Sequence, residues 1–396
     1  MEKSSNRQVL ASRASLAVAW LLVAQLASAQ SSAPDSNRWS VSLIPFAYYS
    51  ELFKSSAGVL LRASRPCPPG SPGDSRLADF VVFGSQNGSW YLYHRFQGLA
   101  SPLGLGFEPT VLAGRFGEIR GYTDHEPRSF PDRSGEQFPG HNQSSPDDFL
   151  TASGRDLWLR GRLSWTPAWP TTSDLHLSVE PFYRDQADQV TAGATISLTH
   201  DHRDDPTDPN RGNRQEVAWQ RDPGGGPLRP PWIVWTFEHC CYCSMGSAGT
   251  VGAACWARVS PSFDDTHMEV QADGSHVRVQ HQPPAFAAPA LGSDSRLRAY
   301  PENRFNDQAA WLYQVEWRKR LPWNPVRSWD VRWLQSVVFV EAGRVASRWD
   351  VALFHQNMKH SAGVGLRAMY RNVLLRVDLA AGQEGLQVQM FVDHAF

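Results

Sequence analysis

Residues 311–320 read Trp-Leu-Tyr-Gln-Val-Glu-Trp-Arg-Lys-Arg. On an extended chain, Trp311, Tyr313, Val315 and Trp317 fall on one side, and Gln314, Glu316, Arg318 and Arg320 on the other. Strand side chains alternate with period two, so this is a strand with one apolar, aromatic face and one charged face. The pattern recurs along the chain. Leu157, Leu159, Leu163 and Trp165 oppose Trp158, Arg160, Arg162 and Ser164. Leu175, Leu177, Val179 and Tyr183 oppose His176, Ser178, Glu180 and Arg184. Val373, Leu375, Val377 and Leu379 oppose Arg376 and Asp378, while Leu386, Val388, Met390, Val392 and Phe396 share one face. Helical periodicity is almost absent.

A water-soluble sandwich alternates too, but its outward faces meet water. Here one face repeatedly carries Arg and Glu, and the other Trp, Tyr and Leu. That combination suits a transmembrane antiparallel β-barrel with lipid outside and a polar lumen inside. Of 38 basic residues only four are lysines, Lys3, Lys54, Lys319 and Lys359. Arginine suits a crowded lumen because its planar fork pairs with carboxylates and keeps its charge. With 39 acidic residues the net charge is −1, which gives no support to nucleic-acid binding. A mean hydropathy of −0.41 excludes a bundle of membrane helices but not a barrel.

Reading the alternation along all 396 residues gives about 16 strands. Five are expected before residue 120, at 41–49, 56–64, 78–86, 89–97 and 107–116. A long polar loop follows at 124–154, then strands near 155–166, 173–184, 190–200 and 212–221. Pro-Gly-Gly-Gly-Pro at 223–227 and Pro230-Pro231 break pairing. One strand and an inserted cysteine-bearing loop are expected in 222–265, and another strand near 266–281. A long segment, 282–308, leads to five final strands near 309–320, 331–341, 360–370, 373–380 and 386–395. With both termini in the periplasm, 124–154 and 282–308 fall at extracellular connections, while the Pro-rich 65–77 is a long periplasmic turn.

Lys3, Arg7 and Arg13 precede an uncharged run from Ala14 to Ala24 and a small-x-small site, Ala27-Ser28-Ala29. This pattern predicts a cleaved secretory signal over 1–29, a short periplasmic lead over 30–40 and the barrel over 41–396. The run is shorter than the about 20 residues a helical span needs. In an oxidising compartment, Cys67, Cys240, Cys241, Cys243 and Cys255 favour a loop disulfide over free thiols. The spacing after His239 fits no strong zinc pattern, and Asp124-His125-Glu126 reads as a solvated loop face. No metal or cofactor is expected.

Four further segments carry a resemblance. His200-Asp201-His202-Arg203-Asp204-Asp205, followed by Pro209-Asn210-Arg211-Gly212-Asn213, is a polar turn between two strands. Leu297-Arg298-Ala299-Tyr300 lies in the long segment, Phe339-Val340-Glu341-Ala342-Gly343 on a strand, and Gly363-Val364-Gly365-Leu366-Arg367 on the next, before a final Phe396. In this order they resemble the D-x-R-D, V-R-G-F/Y, F-x-D-x-G and G-x-G-x-R motifs of the barrel domain of the bacterial surface antigen superfamily. That superfamily includes BamA- and TamA-like assembly factors and two-partner secretion transporters. The sequence departs from it at Ala299, usually Gly, and at His394, usually apolar or aromatic in the C-terminal signal. It also lacks the periplasmic POTRA modules that usually precede the barrel, which implies that they are supplied by a partner if they are needed.

The resemblance implies that the long loop folds into the lumen. There Arg298, with Tyr300, would be locked by Glu341 on the strand that also carries Phe339 and Gly343. Glu316, Arg318, Arg367 and Asp378 are further lumenal charges, and Asp201, Arg203, Asp204 and Gly212 shape a structural turn. Phe396 would be the C-terminal signal. No G-x-S-x-G, H-E-x-x-H or G-x-x-x-x-G-K-S/T signature occurs, so an enzyme is not expected. The resemblance implies an outer-membrane factor for membrane insertion or transport of proteins or lipids. Its partners would be outer-membrane lipid, unfolded outer-membrane proteins or a periplasmic POTRA-bearing protein. The alternatives are a pore with selectivity set by Arg160, Arg162, Arg318, Arg367 and Arg376, or a surface-interaction barrel using its loops.

Overall fold

The computed structural model describes residues 39–50, 53–66, 75–100, 105–124, 138–139, 145–147, 149–166, 174–187, 189–226, 229–270, 273–370, 373–392 and 395–396. The expected signal, most of the lead, Cys67, His125, Glu126 and His394 lie outside the described residues. The polypeptide forms one large sheet of sixteen strands, extended by two short pieces at 99–100 and 138–139. The strands are β1 (Ser40–Ser50), β2 (Lys54–Pro66), β3 (Ser75–Ser85), β4 (Trp90–Gln97), β5 (Leu105–Asp124) and β6 (Phe149–Trp165). Then come β7 (Leu175–Gln186), β8 (Gln189–Asp201), β9 (Gly212–Asp222), β10 (Trp232–Ser244) and β11 (Thr250–Val259). The last are β12 (Ala309–Arg320), β13 (Val331–Ala346), β14 (Lys359–Tyr370), β15 (Val373–Gly382) and β16 (Gly385–Val392).

Each strand pairs antiparallel with the next in the chain. The first and last strands lie alongside one another, with no ladder between them among the described residues. The two faces divide as alternation requires. On β12, Tyr313, Val315 and Trp317 are exposed on the outer surface, whereas Gln314, Glu316 and Arg318 are buried inside. Leu159, Leu163 and Trp165 on β6 also face outward. The architecture is a β-barrel with a polar interior and an apolar exterior. Among the described residues no helix is long and apolar enough to cross a membrane.

Four expectations need correction. Residues 222–265 hold two barrel strands, β10 and β11, not one. Residues 266–281 are not a barrel strand; they form a separate hairpin, Thr266–Val270 with His276–Gln280, inside the long β11–β12 connection. The total survives because the two errors cancel. Thr266–Val270 does alternate, with Met268 and Val270 opposite His267 and Glu269, but its 5 residues are too few for a membrane-spanning strand, which needs about 9–11. The cysteines are not in a loop: Cys240, Cys241 and Cys243 lie on β10, Cys255 on β11, and all four are free thiols. Alternation turns Cys240 into the lumen, where it is buried, and leaves Cys241 and Cys243 exposed outside.

The fourth correction concerns the chain end. β16 stops at Val392, and Phe396 does not continue its outward face. Its ring lies inside the barrel against Tyr242. Where β16 stops, the sheet edges overlap. Val373, only 2% exposed, and Leu375 share the side of β15 on which Leu379 is 40% exposed. They pack, with Tyr370, against Ile44, Phe46, Leu60 and Val81 from the inner faces of β1, β2 and β3.

Candidate functional site

The β11–β12 connection, residues 260–308, folds back into the barrel as a plug. Its fully buried side chains include Leu291, Leu297, Arg298, Tyr300, Arg304 and Phe305. Leu291, Leu297, Tyr300 and Phe305 form one apolar cluster with Trp256, Leu312, Val337, Phe339 and Val345 from the inner faces of β11, β12 and β13. A tight turn presents Arg298. Leu297 takes a left-handed φ of 53°, and the Tyr300 amide donates to the Leu297 carbonyl at 3.0 Å.

Three strands supply the carboxylates that meet Arg298. Its Nε donates to Glu341 Oε1 of β13 at 2.9 Å and its backbone amide to Oε2 at 2.7 Å. Nη1 donates to Glu316 Oε1 of β12 at 2.6 Å and to Asp378 Oδ2 of β15 at 3.0 Å. The guanidinium carbon lies 3.4 Å from the Phe339 ring centroid. Arg367 of β14 pairs with Asp378 and lies 3.7 Å from Glu316, while Arg318 Nε donates to Glu316 Oε2 at 2.8 Å. Burial alone would lower the Arg298 pKa. The Glu341, Glu316 and Asp378 charges outweigh it and hold the group above its ordinary value. Nη2 is buried with no hydrogen-bond partner among the described residues, so the carboxylates on Nε and Nη1 supply the compensation that a desolvated guanidinium needs.

On β13, Val337, Phe339 and Glu341 are buried inside, and Val338 and Val340 are exposed. Gly343 leaves room for the plug, because a Cβ there would come within 3.0 Å of Leu291. Ala299 is accommodated by Gly382 of β15, whose missing Cβ would fall 2.8 Å from the Ala299 methyl. The Ala299 amide donates to Ser361 Oγ at 3.1 Å, and the Tyr300 hydroxyl to the His360 carbonyl at 3.2 Å.

Several plug contacts have no counterpart among the motifs. Arg304 pairs with Glu384 at 2.8 Å and lies over the rings of Tyr122 and Phe305. Gln314 Nε2 donates to the Ser295 carbonyl at 2.7 Å, and Gln389 Nε2 to that of Arg298 at 2.8 Å. Arg376 Nη2 donates to the Asp294 carbonyl at 2.8 Å. Alternation alone put Gln314 and Arg376 on polar faces; nothing local marked Glu384. Glu302 stays solvent-exposed within the barrel interior. Surrounding protein, then the Asp294 charge, pushes its carboxyl up to about 7, against the pull of Arg184 and Arg296.

The polar turn lies at the other end. Arg203 Nη2 meets Asp201 Oδ2 at 2.7 Å, and burial, which would lower the Arg203 pKa, is outweighed by that carboxylate. Asp204 Oδ1 accepts from the amides of Asn210 at 2.8 Å and Arg211 at 3.0 Å. Of the arginines considered for a pore, Arg162 pairs with Glu180 at 3.0 Å and Arg160 lies 3.6 Å from the same carboxylate. No group of His, Cys, Asp and Glu suited to a metal occurs among the described residues.

A solved structure shares this fold. BamA from Haemophilus ducreyi lacking POTRA domains 1–3 superposes with a TM-score of 0.52 at 10% identity, over 90% of this chain and 70% of that one. CdiB from Acinetobacter baumannii gives 0.49 at 12% identity, over 91% of this chain and 60% of its own. No protein-family model and no curated protein sequence matches the chain. The chain has the fold of the BamA barrel.

Proposed function

We propose that the protein is an outer-membrane assembly or translocation factor that promotes insertion or transport of proteins or lipids without enzymatic chemistry. The observation that carries this reading is the pairing of a plugged lumen with an unzipped seam. Fifteen consecutive strand pairs form antiparallel ladders, whereas β1 and β16 lie together without a ladder among the described residues. Unpaired backbone groups in lipid cost several kcal/mol each, so an open edge there is a template for an incoming strand. Arg298 acts as the lock of the plug, and the strands that bind it, β12, β13 and β15, lead up to the seam.

The lumen supports this reading over a passive pore. Arg318 and Arg367 are tied to Glu316 and Asp378 around Arg298, and Arg376 holds the plug backbone. The expected working partners are outer-membrane lipid, an unfolded client chain and a periplasmic protein that carries POTRA modules.

The test is the folding of a urea-unfolded outer-membrane barrel into liposomes containing the full-length protein. Acceleration over empty liposomes supports the proposal. Folding at the rate of empty liposomes, together with a large and steady single-channel current, would replace it with a pore.

A further inference from the structure

The plug packs unevenly against the lumen wall. Around Arg298 the wall is sealed, and Glu316 and Arg367 keep none of their side chains exposed. On β9 and β10, Arg214, Glu216 and Glu238 turn inward by the same alternation yet keep 21–23% exposed. Glu302 of the plug is exposed too, near enough to feel the charges of Arg184 on β7 and Arg296 on the plug. Beside this open side, two half-buried guanidiniums share one ring. Arg296 lies 4.3 Å from the Trp256 centroid, and Arg258 of β11 lies 5.5 Å from it.

Neither cation has a carboxylate. Arg184 meets Asp156 at 2.9 Å, and Arg298, Arg318 and Arg367 divide Glu316, Glu341 and Asp378 among them. Arg258 has only neutral acceptors: its Nε donates to Thr236 Oγ1 at 3.0 Å and its Nη1 to the Ala288 carbonyl at 3.5 Å. No carboxylate oxygen lies within 4.0 Å of Arg258 or Arg296 among the described residues, and the Arg296 guanidinium donates to none of them. The carboxylates close by in sequence or register face elsewhere. Glu238, opposite Trp256 in the ladder, lies 3.7 Å from Arg214, and Asp294 lies 3.5 Å from Arg376. Neither guanidinium has a nitrogen that is buried without a partner, so their spare N–H groups open onto the lumen. Trp256 attracts both cations but carries no net charge, and the two repel one another.

We propose that Arg258 and Arg296, steadied by Thr236 and Trp256, form a lumenal binding site for a phosphate group, either inorganic phosphate or the phosphomonoester of a lipid headgroup. The charges match: a phosphomonoester carries close to two negative charges near neutral pH, one for each guanidinium. A carboxylate carries one and would leave a cation uncompensated. Guanidinium forks pair with phosphate oxygens through two parallel N–H groups. Thr236 Oγ1 accepts from Arg258 and keeps its own hydrogen to donate. Arg258 belongs to the wall and Arg296 to the plug, so a phosphate held between them ties plug to wall a second time, beside the Arg298 lock. The site does not depend on the assembly reading.

The experiment is titration calorimetry of the full-length protein in a phosphate-free detergent, with inorganic phosphate and, separately, with a soluble short-chain phosphatidic acid. Arg258→Gln and Arg296→Gln should each weaken binding at least about tenfold, one charge-assisted contact's worth. Arg162→Gln, which removes a lumenal arginine paired with Glu180, should leave it unchanged. Tighter binding of phosphatidic acid than of phosphate assigns the site to a headgroup; equal binding assigns it to the soluble anion. A second readout covers folding. Without ligand, Arg258→Gln should not lower the unfolding temperature, because it removes an unpaired charge, and phosphate should raise that of wild type but not of the double variant. No binding of either probe, or a loss through Arg162→Gln as large as through Arg258→Gln, overturns the site. So does a ligand-free Arg258→Gln as destabilised as Arg298→Ala, which would make Arg258 a structural strut.

Discussion

Arg298 and Glu341 lie 43 residues apart in the chain, yet they make two contacts: Nε to Oε1 at 2.9 Å and backbone amide to Oε2 at 2.7 Å. The side-chain bond pairs charge with charge, and the amide bond fixes the turn that carries it. The carboxylate therefore reads both the identity of the residue and the shape of the loop tip.

Replacing Arg298 by Ala leaves Glu341, Glu316 and Asp378 facing one another without the shared cation. Stranding buried charge in this way costs about 3–5 kcal/mol. Arg298→Ala should lower the unfolding temperature and raise a low, flickering single-channel current sharply. Arg298→Lys should rescue only part, because one ammonium cannot copy a fork that meets three carboxylates. A large current already present in wild type and unchanged by the substitution would refute the lock.

Glu302 predicts a pH dependence. Its carboxyl is pushed up to about 7 in the barrel, against an ordinary value of 4.5. The folded state thus holds the proton more tightly than the unfolded chain. The stabilisation is complete below about 4.5 and is lost as pH rises through about 7. Hydrogen exchange of the plug should be slower at pH 5 than at pH 8, and Glu302→Gln should flatten the difference.

Phe339 contributes a ring under a desolvated guanidinium, at 3.4 Å. Phe339→Leu keeps apolar volume and removes the quadrupole. The expected loss is about 2 kcal/mol, with a plug current between those of wild type and Arg298→Ala.

Gly212 opens β9 with a φ of 98°, and a Cβ there would strike the His202 carbonyl oxygen. Gly212→Ala should destabilise the turn by more than about 1 kcal/mol. Thermal unfolding in detergent measures it, and an unchanged midpoint would show that the turn is not constrained.

The thiols test which face is outside. Cys241 and Cys243 are exposed on the outer surface, and Cys240 is buried in the lumen. A membrane-soluble maleimide should label the first two in intact bilayers and spare Cys240. Labelling of Cys240 ahead of its neighbours would invert the assignment of faces.

The fold was legible in the residues because alternation is a local property. Trp311 to Arg320 declares two faces without reference to any partner, and period two fixes which side chains share a face. The same rule placed Glu316, Arg318 and Asp378 together on polar faces. It failed where local pattern weakens. The Pro and Gly run at 223–227 hid the start of β10, and the exposed hairpin at 266–280 imitated a strand.

Alternation names a face but gives neither depth nor partner. The sequence by itself therefore determined a barrel with a charged interior. Only the tertiary structure brought Arg298 to carboxylates on three strands, set Arg304 against Glu384 eighty residues away, and turned Phe396 from the outer face into the lumen beside Arg318. Those outcomes depend on how the sheet curls and where the chain leaves it. They are set by packing between residues distant in the chain, which no local period encodes.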